Sequence, residues 1–276
     1  MTNQEIKALI SLLEDDDNEI LIHVEEKLSA LGEAAIPFLE DEWASNLNPK
    51  LQGRIEQLIK RLQLDAVSVR LQEWVESYQN DLLRGMWAIA SYQYPTLSLE
   101  DLRKDFEQIY YEVWRKFKPD LLPLDEVRML NAIIFGDLQF GANTQNFHSP
   151  SNSMINVVLA GRKGNPIALC IVYLLIAQKL GMPVFGVNLP NLFVLTYKSP
   201  DKTFYINAFS RGLIFSRGEI DSYIAQLNLP QKEMFYEPCS NLDIVKRVLR
   251  NLMLSFEQLG ERSEIADLEK FMKILL

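Results

Sequence analysis

Eleven consecutive apolar residues, IALCIVYLLIA from Ile167 to Ala177, set the terms on which this chain can fold. A bilayer span needs about 20 such residues, so the run is too short to cross a membrane. It opens at Gly164-Asn165-Pro166, a helix start, and closes at Leu180-Gly181, a helix stop. A helix that is apolar on every side must be covered on every side. The cover is expected from the strand-like runs that follow: VFGVNL after Pro183, LFVLTY after Asn191 and, past the turn KSPDKT, FYINAF. The simplest assembly is a thin antiparallel sheet packed on the buried helix.

The rest of the chain is helical by pattern, which makes the expected class α+β, mostly helical, with the sheet late in the chain. Ile6, Leu9, Ile10 and Leu13 recur at helical spacing, and after the acidic turn Asp15-Asp16-Asp17 so do Ile20, Leu21, Val24, Leu28 and Leu31, with Gly32 as the stop. AAIPFLEDEW and Leu51 to Leu64 supply two more segments. Paired short helices with Leu-Gly at the joint and Ala-Ile-Pro opening the next resemble a HEAT-type unit, whose apolar faces are buried by stacking. The acidic turn lacks the spacing and the glycine of a calcium loop, and carboxylates at a helix start need no metal. His23 reads as structural or surface.

Further helices are predicted over Leu71 to Tyr92, Ser98 to Phe117 and Leu124 to Phe135, the second opened by a Ser98-x-x-Asp101 cap. Trp74, Trp87, Tyr110, Tyr111, Trp114 and Phe117 crowd this part, and the expectation is that they pack in the core. A loop GANTQNFHSPSNS leads to a helix over about Ser153 to Arg162. Ser216-x-x-Glu219 caps a short helix, and Leu242 to Leu259, stopped by Gly260, precedes a last helix to Leu276. The expected organisation is a helical region 1–69, a core 70–240 and a C-terminal helical hairpin 241–276.

Charge narrows the function. With 28 basic against 37 acidic residues and a net charge of −9, the chain repels phosphate backbones and anionic lipid. A protein or peptide partner is expected, and neither nucleic acid nor a membrane. MTNQEIKALISLLEDDD lacks the basic-then-apolar order of a signal peptide, so the mature chain is expected to begin at Met1. Cys170 and Cys239 read as free thiols and are too few for a zinc cluster, so the cytoplasm is the expected location. No metal and no cofactor are expected.

The chemistry turns on Cys170. A thiol early in a buried helix, followed by antiparallel strands that bring a base and an orienting group, is the layout of papain-like and transglutaminase-like enzymes. The run from Asn152 to Leu169, NSMINVVLAGRKGNPIAL, the joint LGMP from Leu180, VNLP from Val187 and INAF from Ile206 together resemble the SirB-type branch of the transglutaminase-like superfamily. The resemblance covers about residues 70–260. It implies a papain-like core and, where members read Pro-Gly-His-Phe, a base on the strand after the helix. This chain has Pro190-Asn191-Leu192-Phe193. Where members read Ile-Asp-Pro-Phe, it has Ile206-Asn207-Ala208-Phe209. Counted back from Leu180-Gly181, the superfamily thiol falls near Ala168. F-box ubiquitin-ligase subunits and bacterial regulators share the domain type, so the resemblance selects no process.

Two readings of the residues therefore stand side by side. Cys170 shares a helical stripe with Ile167, Ile171, Leu174 and Leu175, where free cysteine serves as a small core hydrophobe. Alternatively it is a nucleophile served by His148 and Asn207, since no histidine follows residue 148. Asn152, Ser153, Asn156 and Arg162 are expected either to order the loop before Gly164 or, with Tyr173, Asn191 and Asn207, to line a cleft that takes an extended peptide or a small polar ligand. The expected function is a non-catalytic transglutaminase-like protein that acts as a protein-binding or regulatory module. The alternatives are a cysteine-dependent acyl transferase or hydrolase, and a helical cap that does the binding on a scaffold core.

Overall fold

The computed structural model describes residues 1–119 and 121–276. The chain divides into two compact units, Met1–Gln72 and Glu73–Leu276.

The first unit is helical: α1 (Asn3–Ser11), α2 (Asn18–Leu31), α3 (Ile36–Ser45) and most of α4 (Pro49–Ser77), within which the boundary falls. α1 and α2 begin where a side chain satisfies their orphan amides. Thr2 and Glu5 form a reciprocal capping box. Asp17 accepts the Glu19 N–H at 2.8 Å, so the acidic turn is a helix start. Gly32, at φ +59°, ends α2 in a conformation that costs glycine little. Ile10, Leu28, Leu39 and Ile55 fill the core of this unit. Arg54 fastens α4 to the turn after α1, donating to the Leu13 and Asp15 carbonyls at 2.6 and 2.7 Å. α4 runs well past the Leu64 expected from the pattern, because no glycine or proline lies between Leu64 and Ser77 while Val67, Leu71 and Trp74 continue its buried stripe.

In the second unit the helix expected over Leu71 to Tyr92 is two helices, the end of α4 and α5 (Leu82–Ala90). Asp81 is the cause. Its carboxylate accepts the Arg84 N–H at 2.9 Å and starts α5 afresh, while its carbonyl takes the Trp74 indole N–H at 2.8 Å. Gly85 makes room for that indole: a Cβ there would lie 2.7 Å from the ring. α6 (Leu99–Trp114) follows, capped by Ser98, and then α7 (Pro123–Asn131). α7 widens into a π-type turn over Ala132–Asp137, where a regular helix was expected. The loop at Arg211 and Gly212 holds this segment from both sides: the Asn131 side chain donates to the Gly212 carbonyl at 2.7 Å, and the Arg211 side chain donates to the Phe135 carbonyl at 3.0 Å.

The aromatic residues divide. Trp74 is buried, but Tyr111 and Trp114 are each 56% exposed and stack on one another with centroids 6.0 Å apart. They lie off the buried stripe of α6, which is Leu102, Phe106, Ile109 and Val113. The expectation that they pack in the core is corrected for these two.

Two short strands, β1 (Gly141–Ala142) and β2 (Lys163–Gly164), pair in parallel on either side of α8 (Ile155–Gly161). α9 (Pro166–Lys179) is the apolar run, with every residue from Ile167 to Leu174 buried. After it come β3 (Val184–Leu189), β4 (Leu192–Lys198), β5 (Thr203–Asn207) and β6 (Leu213–Phe215), an antiparallel meander in that order. Val187 pairs with Val194, and Leu195 with Ile206. β4 is buried on both faces from Phe193 to Tyr197. Val194, with Val187, Leu189 and Tyr205, meets Ile220 and Ile224 of α10 (Arg217–Gln226). On the opposite face Phe193 meets Cys170 of α9. Full burial of each such aliphatic side chain is worth about 1.5–3 kcal/mol, so α9 and β4 form the densest source of stability in this unit. α11 (Asn241–Leu259) and α12 (Arg262–Ile274) complete the chain, α11 ending at Gly260 with φ +77°. The fold is mostly helical, with one small antiparallel sheet and C-terminal helices. Among the described residues no helix is long and apolar enough to cross a membrane.

Candidate functional site

Cys170 lies one turn into α9 and is fully buried. Its thiol donates to the Phe193 carbonyl at 3.5 Å, on the residue after Leu192, and also feels the Ala208 backbone, on the residue after Asn207. The fold therefore brings the helix start, the head of β4 and the end of β5 to one place. The side chains there do not form a proton relay. Burial pushes the Cys170 thiol up to about 12, so at pH 7 on the order of 10⁻⁵ of molecules would carry the thiolate, the reactive species. Leu192, half-buried, packs against the apolar cluster beneath α10. Asn207 is spent locally, its side-chain oxygen accepting the Ser210 N–H at 3.1 Å. Ala168, buried in the first turn of α9, offers no nucleophile. His148 is exposed and sits edge-on to Phe147. Cys239 is half-buried, and burial holds its thiol near 12 as well.

The polar residues before Gly164 build the start of α9. Asn152, buried, donates to the Asn146 and Phe147 carbonyls at 2.6 and 3.1 Å and accepts from Asn143 at 2.8 Å, which folds the loop. Its carbonyl takes the Asn165 N–H at 3.2 Å. Ser153, also buried, accepts from the Asn165 carboxamide at 2.7 Å, and Asn165 in turn accepts the Ala168 N–H at 3.0 Å as the N-cap of α9. Each buried polar atom in this relay has a partner, as burial demands. Arg162 lies elsewhere, in the left-handed region at φ +57°, donating to the Leu138 carbonyl and sitting 3.9 Å from Glu112. Asn156 is half-buried, with its side-chain oxygen unpaired in the interior. Tyr173 is inside the core, stacked on Phe135, with its hydroxyl unpaired. Burial raises its pKa far above the usual phenol range.

Of the residues singled out from the sequence, Asn191 and His148 do line a cleft, of about 440 Å³, that opens over the start of α9. Asn165, Pro166 and Ile167 supply its floor, and Phe193 and Asn191 one side. The opposite wall is one face of α11: Arg247, Arg250, Asn251, Leu254, Ser255 and Gln258. That stripe was missed in the sequence. Its signal is present, since the spacings of three and four residues run opposite the buried Ile244, Val248, Leu249, Leu252 and Phe256. What the spacing does not reveal is that this face looks onto α9.

Arg247 donates to the Asn188 side chain at 2.9 Å and the Leu189 carbonyl at 3.2 Å. Burial, and then the like charge of Arg250, push its pKa down. Arg250 is exposed. Among the described residues neither arginine forms an ion pair, and no Asp or Glu lines the cleft. The positive end of α9 adds to the same field. The arrangement is suited to holding an anionic group beside apolar surface, and it lacks a thiolate and a placed general base for acyl transfer.

The chain is 28% identical over 172 residues to the UPF0162 protein YchA of Escherichia coli (strain K12), an alignment covering 58% of this chain and 64% of that protein. It is 28% identical over 172 residues to a UPF0162 protein of Xylella fastidiosa (strain 9a5c), covering 59% and 60% respectively. It is also 28% identical over 144 residues to F-box only protein 21 of Homo sapiens, covering 49% of this chain and 22% of that one. The matched region thus spans less than two thirds of each of these relatives. No solved structure gives a significant match. Residues 100–250, just over half of the chain and the part that contains α9, the sheet and most of the residues lining the cleft, match the family profile of the transglutaminase-like superfamily, and the chain belongs to that superfamily.

Proposed function

We propose that this protein is a non-catalytic member of the transglutaminase-like superfamily, of the SirB-type branch, that works by binding a protein segment in the cleft over the start of α9. One observation carries the reading: the thiol nearest the expected site is sealed in the core with its pKa raised, while the position of the family's base is Leu192. General-base catalysis is worth about 10²- to 10⁴-fold, and a buried thiol without an imidazole forgoes it. The domain order that goes with this reading is a HEAT-like region 1–69, a SirB-type core 70–240 and a C-terminal hairpin 241–276, in the cytoplasm. The test is turnover of amide and ester substrates by the purified protein. The reading expects none that a thiol blocker abolishes. Blocker-sensitive turnover lost in Cys170→Ser would replace it with a cysteine-dependent acyl transferase or hydrolase using Cys170, His148 and Asn207.

A second reading, in which the HEAT-like region binds the partner and the core is a scaffold, is favoured by a groove of about 600 Å³ lined by Leu9, Leu12, Ala30 and Leu31. Partner capture that survives Arg250→Glu and fails with Leu12→Glu would select it.

A further inference from the structure

The cleft over α9 is electrostatically unlike the rest of the molecule. The chain carries a net charge of −9, yet this concavity gathers Arg247 and Arg250 and has no carboxylate on its walls. Several arginines elsewhere are ion-paired, Arg61 with Glu25, Arg84 with Glu73, Arg103 with Asp81 and Arg217 with Glu233, while Arg54 and Arg211 are spent on backbone carbonyls. Arg247 is more than half buried and is anchored by the Asn188 side chain and the Leu189 carbonyl, neutral acceptors that steady it without cancelling its charge. Placing two like charges side by side is unfavourable, and an anion between them reverses the sign of that interaction. Beside the arginines the lining holds one imidazole, His148, and otherwise apolar or carboxamide and hydroxyl groups, among them Phe147, Leu254 and Asn191.

From this charge and shape we infer that the cleft receives a carboxylate of an acidic peptide segment, held by Arg247 and Arg250, with a neighbouring apolar side chain of the same segment seated against the exposed Leu254 and Phe147. This deepens the binding role proposed above and rests on it. A volume of about 440 Å³ is too large for a lone inorganic anion and falls within the roughly 300–1,000 Å³ of sites that enclose an organic ligand. A nucleic acid is disfavoured, because two arginines on a net acidic chain give little counterion release. The carboxylate can come from an Asp or Glu side chain or from a chain terminus, and both would bind by the same paired arginines.

The test uses the full-length protein and a phage-displayed library of random heptapeptides. Selected sequences should carry Asp or Glu next to Leu, Ile or Phe. Measured by fluorescence polarisation with the synthetic peptide, Glu→Gln in the peptide and Arg250→Glu in the protein should each weaken binding by about fivefold or more, as expected for a partly exposed ion pair. Affinity should also fall as salt rises. Amidating the peptide's C-terminus distinguishes the terminal carboxylate from a side-chain one. Arg250 is exposed, so its variant should keep the parent's melting temperature, which separates lost recognition from lost fold. Selected peptides without acids, or binding indifferent to Arg250→Glu, would overturn the assignment of charge while leaving a peptide-binding cleft in place if Leu254→Ser weakens them. No selection above background, or an RNA 20-mer that outcompetes every peptide, would overturn it altogether. Thiol-dependent turnover is read out separately and bears only on the non-catalytic reading.

Discussion

Two regions meet at the start of α9 and could hardly differ more. The neighbourhood of Cys170 is dry, apolar and packed on every side, with Phe193 above and Tyr173 in the next turn of the helix. The cleft at Asn165 to Ile167, less than one turn away, is open, cationic and walled by a helix face that buries little. A superfamily built to put a thiol at this helix start has here a core on one side and a charged concavity on the other. The lesson is that architecture and chemistry separate. The helix, the strand and the turn that would align a relay are retained because they carry the core, while the side chains facing solvent are free to take on different work.

Variants can break or sharpen this contrast. The largest expected effect is Leu174→Ala, which leaves a void in a fully packed layer and should cost about 2–5 kcal/mol by chemical denaturation, against a change within about 0.5 kcal/mol for Leu254→Ala in the cleft. Equal costs at the two positions would erase the distinction.

The second effect is a pH dependence. Because burial raises the folded thiol of Cys170 from about 9 to about 12, the folded chain keeps a proton that the unfolded chain has lost. Its contribution is intact below pH 9 and is lost as pH rises towards 12, at about 1.4 kcal/mol per pH unit. Cys170→Ala should therefore show a shallower fall in stability over that window than the parent. Parallel curves would mean that the thiol meets water. Alkylation agrees in sign: Cys170 should react with iodoacetamide only as fast as the protein opens, in a mass-spectrometric time course.

A smaller effect tests the seam itself. Asn165→Ala removes the N-cap of α9 and leaves Ser153 without its partner, which should cost about 1–2 kcal/mol and lower the melting temperature. Arg250→Gln comes last, within about 0.5 kcal/mol, since the residue is exposed and unpaired among the described residues. A large loss there would mean that the arginine is structural.

Much of the fold was legible before the structure. The uniform apolarity of Ile167–Ala177 called for a helix covered all round, and the strand-like runs after Gly181, broken by turn residues, called for the strands that cover it. Caps at Ser98, Ser216 and Gly260 fall where their residue types indicate. Errors arose where a tertiary contact outweighed local periodicity. The break at Asp81 depends on an indole packing beneath it, and the π-type turn after Asn131 is held by reciprocal bonds with a distant loop, Asn131 to the Gly212 carbonyl and Arg211 to the Phe135 carbonyl. Asn152 and Ser153 stand out in the sequence as polar residues in a spaced motif, but only the folded loop shows that they are buried and build a helix start.

The sequence by itself determined that a buried helix and a small sheet must pack together, because apolar surface has to leave water and its periodicity is written locally. It also determined that no histidine follows residue 148. Tertiary structure alone decided which groups face the start of that helix: that Cys170 is sealed from solvent, and that Arg247 and Arg250, some 80 residues beyond Asn165 in the chain, form the opposite wall. The physical reason is that burial and field depend on what lies nearby in space, and the helix face that reaches Asn165 is chosen by how α11 packs, which no local pattern encodes.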